Sequence, residues 1–120
     1  MHEMALAENI LGLALTEAKK QGCDKLLRVL VQYGPLTGVL PDALSFCFHA
    51  LVQGTPHEKV KFELEALPLL LSCPLCGATF GGSDRNAIWQ PCPECGEIFG
   101  HTVLKGRELL LAQIECANIP

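Results

Sequence analysis

Basic residues are scarce in this chain: 9 lysines and arginines face 13 acidic side chains, a formal net charge of −4. A non-specific nucleic-acid binder needs a basic stripe to displace counterions, so that class is excluded. Long apolar runs are missing too. The longest, Leu69-Leu70-Leu71 behind Leu67-Pro68, falls far short of the roughly 18 residues of a membrane helix. An export signal would place lysine or arginine near the start, where this chain has Glu3 and Glu8. A cytoplasmic location, with no membrane contact, is therefore expected. Paired carboxylates, a nucleophile beside a base and a phosphate-binding loop are all absent, so an enzyme is not expected. There is no low-complexity tract, and the only internal repeat is a pair of short cysteine motifs.

What is present suits one ordinary domain, or one domain carrying a small insertion. The chain has 120 residues, 49% of them hydrophobic. A core of that size is modest, because short chains bury proportionally less surface, and a structural metal would help stabilise it. Seven cysteines stand out in this setting. In the cytoplasm they argue for metal binding over a disulfide framework.

Apolar spacing predicts a helix over 4–21. Met4, Ala7, Leu11, Ala14 and Ala18 recur at three- and four-residue steps, joined by Ile10 and Leu15. Glu3 and Glu8 near its start and Lys19-Lys20 in its last turn match the helix dipole, and Gly22 is placed to end it. "KLLRVLVQY" (25–33) reads as a strand with Leu27, Val29, Val31 and Tyr33 on one face. After a turn, Pro41 suits the first position of a second helix, with Leu44, Phe48, Leu51 and Val52 inward and Gly54 and Pro56 as its stop. "KVKFELEA" (59–66) alternates, with Val60, Phe62, Leu64 and Ala66 toward the core. "RELLLAQIE" reads as a last strand, with a helix also compatible. The expected fold is α+β: two helices on a small three-stranded sheet, antiparallel or mixed, interrupted by a zinc-ribbon-like module. The domains drawn from this are 1–71 plus 105–120, with 72–104 as the insertion.

"CPLCG" (73–77) and "CPECG" (92–96) are two copies of one hairpin, giving C-x2-C-x15-C-x2-C. Two cysteines three apart on a tight turn aim both sulfurs at one ion, and the spacing between knuckles falls in the zinc range. Trailing Gly77 and Gly96 let backbone N–H groups face the thiolates. Cys73, Cys76, Cys92 and Cys95 thus complete an S4 shell suited to Zn(II), with iron in a rubredoxin-like site as the competitor. A full shell has no open position and is structural, not catalytic. Within 73–95 only Arg85 is basic and only Phe80 and Trp89 are aromatic, so phosphate contacts and base stacking lack side chains. Cys23, Cys47 and Cys116 show no spacing logic; Cys47, in the apolar second helix, reads as a small core residue. His49 and His57 read as surface or capping histidines, and His101 lies just beyond the module.

The chain opens Met-His-Glu. Histidine is too large for efficient removal of the preceding methionine, so Met1 should keep a free amine. That amine, the His2 backbone nitrogen and the His2 imidazole can chelate one ion through fused five- and six-membered rings. Deprotonating an amide is costly, and only ions that gain ligand-field energy from a square plane, Ni(II) and Cu(II), offset that cost. Glu3 can supply a fourth donor through its amide or its carboxylate.

"MHEMALA", "YGPLTGVLPDALSFCF", "CPLCGATF", "CPECG" and "GRELLLAQIE" together resemble the HypA/HybF family of hydrogenase-maturation nickel metallochaperones, over nearly the whole chain. The resemblance implies that His2, with Met1 and Glu3, holds nickel transiently, and that the four cysteines hold structural zinc. It implies nickel delivery to the [NiFe] hydrogenase large subunit together with a HypB-type GTPase, urease being served by some relatives. It also implies a zinc module inserted between strands of a nickel-binding domain. A monomer or weak homodimer is expected. Pro35 and Lys59 depart from the usual family residues. Ser72 and Glu94 stand where some members carry histidines, which points away from a strongly pH-tuned zinc site.

Overall fold

The first helix starts almost at the terminus. In the computed structural model, which describes residues 2–119, helix α1 spans Glu3–Lys20 and buries Ala7, Ile10, Ala14 and Ala18. Three of those four are alanines, so the buried stripe lets helix α2 (Pro41–Val52) pack against it. Met4, expected in the stripe, is 41% exposed and lines an open hollow with Ala43, Phe46 and Cys47 of α2. The chain leaves α1 through Gly22 at φ +75°, and the Cys23 N–H donates back to the Ala18 carbonyl at 2.9 Å.

Strand β1 (Lys25–Tyr33) buries Val29 and Val31 as expected, but the alternation slips before them. Leu26 is fully buried and Leu27 is 42% exposed, the reverse of the predicted face. The cause is local. The Leu26 N–H donates to His57 Nδ1 at 3.0 Å, so the first residues of the strand are fixed by a side chain outside the pleat. His57 is held in turn by Thr55, whose Oγ1 accepts its N–H at 3.1 Å.

Leu44, Phe48 and Val52 form the inner face of α2. Phe48 stacks on Phe62 of strand β2 (Lys61–Ala66), ring centroids 4.4 Å apart. Val60, just ahead of β2, is buried, while Ala66 at its far end is exposed where the chain turns toward Pro68. Phe48 has no solvent exposure. Truncating it to alanine is therefore expected to destabilise this unit by about 3–5 kcal/mol, read from urea unfolding followed by helical circular dichroism.

Strand β6 (Leu109–Ala117) confirms the strand reading of the last segment and completes a sheet of order β2-β1-β6. Arg28 ties all three strands across its exposed face. Its guanidinium donates to both Glu63 oxygens at 2.6 and 2.7 Å and to Glu115 at 3.4 Å. The paired hydrogen bonds hold the Glu63 carboxyl below the usual carboxylate range. Solvent screens this cluster, so its main effect is on strand register.

A second compact unit comprises Tyr33–Gly38 and Ala66–Leu109, wider than the segment 72–104. Its sheet has the order β4-β3-β5, built from strands β3 (Leu69–Ser72), β4 (Thr79–Gly82) and β5 (Thr102–Lys105), both pairs antiparallel. A short 3-10 helix, Arg85–Trp89, follows β4. The run Leu69-Leu70-Leu71 is thus the central strand of a second sheet. Leu69 and Leu71 pack with Phe80, Cys73 and Cys92 into a separate small core. Gly81 lies so close to the Leu69 carbonyl that a Cβ has no room there.

The turn leaving β5 carries a carboxylate cap. Glu108 accepts the Gly106 N–H, and that bond lowers its pKa. A depressed folded-state pKa contributes stability above the unfolded value, and the contribution disappears as pH falls through the folded value. Glu108→Gln should therefore melt below the parent protein at neutral pH, and the gap should close on acidification; a scan of melting temperature against pH checks it.

Candidate metal sites

Two hairpins of the same shape build the stronger site. In the first, the Cys73 N–H donates to the Ala78 carbonyl at 2.9 Å and the Gly77 N–H to the Cys73 carbonyl at 3.0 Å. The second repeats this, with Cys92 N–H to Glu97 and Gly96 N–H to Cys92, both 2.8 Å. Each closes through a glycine with positive φ, Gly77 at +74° and Gly96 at +80°, a backbone region that other residues enter at a cost. The Cys-Pro-x-Cys-Gly repeat read from sequence is therefore one turn geometry made twice.

The four sulfurs converge. Cys73 and Cys95 stand 3.5 Å apart, as do Cys76 and Cys92, and all four lie within 4.8 Å of one another. A tetrahedral ion with Zn–S bonds of ~2.3 Å needs sulfurs about 3.8 Å apart, so the cage fits a single such ion. Each knuckle contributes one buried thiol, Cys73 or Cys92, and one exposed thiol, Cys76 or Cys95. The Cys76 N–H, with further donors behind it, lowers the Cys73 thiol to about 6. At Cys95 the Glu97 N–H acts in the same direction, but the neighbouring sulfurs and burial outweigh it and push the thiol up to about 12. Sulfurs packed this closely cannot all carry charge without a cation among them.

His101 stays outside the cage. Its Nε2–H donates to the Gln90 carbonyl at 3.2 Å, and its ring meets Phe80 edge-on at 4.8 Å. Its Nδ1 is buried without a partner.

The N-terminal site is half open to description. Met1 lies outside the described residues. His2 is exposed and occupies the N-cap of α1, its carbonyl accepting the Leu6 N–H at 3.1 Å; its imidazole makes no capping bond. The Glu3 carboxylate turns toward the start of α2, where it accepts the Leu40 N–H at 3.4 Å. His2, Glu3 and Glu8 line an open hollow that also includes Phe46 and Cys47. Cys47 is thus half-buried beside the terminus, not in the core as its helix suggested: Leu44, Phe48 and Val52 take the inner face, and position 47 falls to one side of it.

The remaining cysteines correct a second expectation. Cys23 and Cys116 are joined as a disulfide, with Cα atoms 5.8 Å apart and a separation of 93 positions in sequence. Their separation along the chain hid this pairing, which arises because the start of β1 and the end of β6 lie side by side.

A four-thiolate cage built from two matching knuckles marks the chain as a metal-binding protein. The chain belongs to the HypA family, whose model, described as hydrogenase/urease nickel incorporation, metallochaperone, matches residues 1–116. The hydrogenase maturation factor HypA of Solidesulfovibrio magneticus is 37% identical over 115 residues, covering 96% of this chain and 98% of its own length. That of Lawsonia intracellularis is 39% identical over 116 residues with the same coverage. The fold resembles the solution structure of the Ni metallochaperone HypA from Helicobacter pylori, with a TM-score of 0.67 at 19% identity over 99% of this chain and all of that one. The family is one of maturation factors, not enzymes. Among the described residues no helix is long and apolar enough to cross a membrane.

Proposed function

We propose that this chain carries Ni(II) at its N-terminus and assists its insertion into the [NiFe] hydrogenase large subunit, working with a HypB-type GTPase. Urease is a second candidate recipient. In this reading the Met1 amine, the His2 amide and imidazole, and a Glu3 donor hold nickel, and Cys73, Cys76, Cys92 and Cys95 hold a structural Zn(II). The observation that carries it is the start of α1 at Glu3, directly behind an exposed His2.

The first N–H groups of an α-helix have no intrahelical acceptor. The amide of His2 can therefore lose its proton to a metal without breaking a helical hydrogen bond. The positive end of the helix dipole also favours the resulting amidate charge. In a square plane the His2 amide has its two cis positions filled by the Met1 amine and the imidazole, so the fourth donor is the Glu3 carboxylate, which would release the Leu40 N–H it accepts at 3.4 Å. A planar donor set of this kind selects Ni(II) or Cu(II) over Zn(II). The sulfur cage suits a tetrahedral ion such as zinc and leaves it no open position, so the two ions need not compete.

The test is metal analysis and nickel titration of protein with an unmodified N-terminus, beside the His2→Ala variant. One colourless zinc per chain and one nickel that depends on His2 support the reading. Red, iron-containing protein would overturn the zinc assignment, and nickel uptake equal in both proteins would overturn the nickel site.

A further inference from the structure

Cys23 and Cys116 lie outside both metal sites, and neither nickel carriage nor zinc binding uses them. We propose that they form a reversible thiol–disulfide exchange site, reacting with small disulfides and thiols of the glutathione class, and that oxidation there locks strand β6 onto the end of helix α1.

Geometry supports the bond in either redox state. The Cα atoms are 5.8 Å apart, at the commonest separation for disulfides. Backbone contacts independent of the sulfurs hold them there. The Cys23 N–H donates to Ala18 at 2.9 Å, anchoring that residue to the end of α1. The neighbouring Asp24 N–H donates to Ala117 at 3.3 Å, and the Asp24 carboxylate accepts the Ile119 N–H at 2.6 Å. Reduction therefore leaves the two thiols facing each other, ready to close again.

Access supports exchange over a permanent crosslink. Both residues are only half-buried, at the surface ends of their elements, where a small thiolate can reach a sulfur. The four knuckle cysteines belong to the other compact unit and are grouped so that, in the zinc-loaded protein, one ion would hold all four. Metal-bound thiolates are occupied, so a small disulfide meets Cys23 and Cys116 as the free facing pair. Cys47 has no cysteine partner.

The steps balance. A thiolate of the pair attacks one sulfur of glutathione disulfide; that S–S bond breaks and one glutathione thiolate leaves. The second cysteine thiolate then attacks the protein sulfur of the mixed disulfide and expels the other glutathione. Two protein thiols are oxidised, one glutathione disulfide is reduced to two thiols, and the two protons pass to the released glutathiones.

The bond matters because of where it closes the chain. β6 is an edge strand in the order β2-β1-β6, so one side of it has no neighbour. It also follows the cysteine unit in sequence. With the cysteines 93 positions apart, closure removes much of the unfolded chain's freedom. The melting temperature of the zinc-loaded protein should rise by roughly 10 °C on oxidation.

The experiment equilibrates intact, zinc-loaded protein with buffers of varied reduced and oxidised glutathione, then traps thiols by alkylation and reads mass, linkage and zinc content. The expected result is loss of two alkylatable thiols at intermediate ratios and a Cys23–Cys116 linked peptide. Zinc should be retained, and dithiothreitol should fully reverse the change. Cys23→Ser and Cys116→Ser should each abolish both the linkage and the thermal shift; either variant suffices if the other folds poorly. Oxidation that joins knuckle cysteines and releases zinc, a glutathione adduct that never resolves, or a link between two chains would each overturn the proposal. So would a bond that stays closed at every ratio, which would make it a fixed crosslink.

Discussion

Replacing His2 by alanine is expected to abolish specific nickel binding and leave both the zinc and the fold intact. Loss of residues that merely orient a metal ligand typically costs ~10–100-fold in affinity, so loss of the imidazole, itself a ligand and the one that closes the six-membered chelate ring, should cost at least about 100-fold. The fold should not respond. His2 is exposed, its imidazole makes no capping bond, and its structural contribution is a backbone carbonyl that alanine keeps. Calorimetric nickel titration with parallel circular dichroism and zinc analysis reads all three quantities. A variant that loses nickel and helix together would mean that His2 supports the fold, and a variant that keeps tight nickel binding would remove His2 from the site.

Replacing Cys92 by serine should have the opposite pattern: zinc is lost, the cysteine unit unfolds, and the helical unit survives. Two of the five buried residues in that unit's core, Cys73 and Cys92, are themselves members of the sulfur cage. With so few other buried side chains, the unit depends on its ion; zinc binding in small peptides of this type supplies about 10–16 kcal/mol of apparent free energy. Amide exchange along β3, the central strand of this unit's sheet, reports its unfolding. Both helices lie in the other unit, so far-ultraviolet circular dichroism should retain its helical signal. A strong chelator acting on the parent protein should reproduce the effect. Retained zinc in Cys92→Ser, or β3 amides that stay protected without metal, would contradict this account.

Short-range patterns were legible in the sequence where the physics is itself short-range. The alanine stripe of α1, the start of α2 at Pro41 and the two knuckles follow from periods and spacings of a few residues, and each stands as expected. The second sheet was not legible. β3, β4 and β5 have four residues each, too short for alternation to show, and β4 contains Gly81 and Gly82, which carry no pattern at all. At Leu26 and Leu27 the hydropathy of the two residues is identical, and the local slip that buries Leu26 accompanies a hydrogen bond its N–H donates to a histidine 31 positions away. The Cys23–Cys116 pair depends in the same way on two strand ends meeting across 93 residues. The proposed nickel donors could be named from the first three residues because they are contiguous, while the orientation of the Glu3 carboxylate needed the neighbouring helix.

That contiguity has a thermodynamic consequence. A ligand stabilises a fold only to the extent that it prefers the folded chain over the unfolded one. The sulfur cage gathers residues up to 22 positions apart, so its ion has nothing equivalent to bind in the unfolded chain. The donors proposed for nickel sit on the first three residues, at the very start of α1, and are neighbours whether or not the chain is folded. Under that proposal, cargo would arrive and depart with almost no effect on melting temperature, and no part of the molecule would have to unfold to let it go.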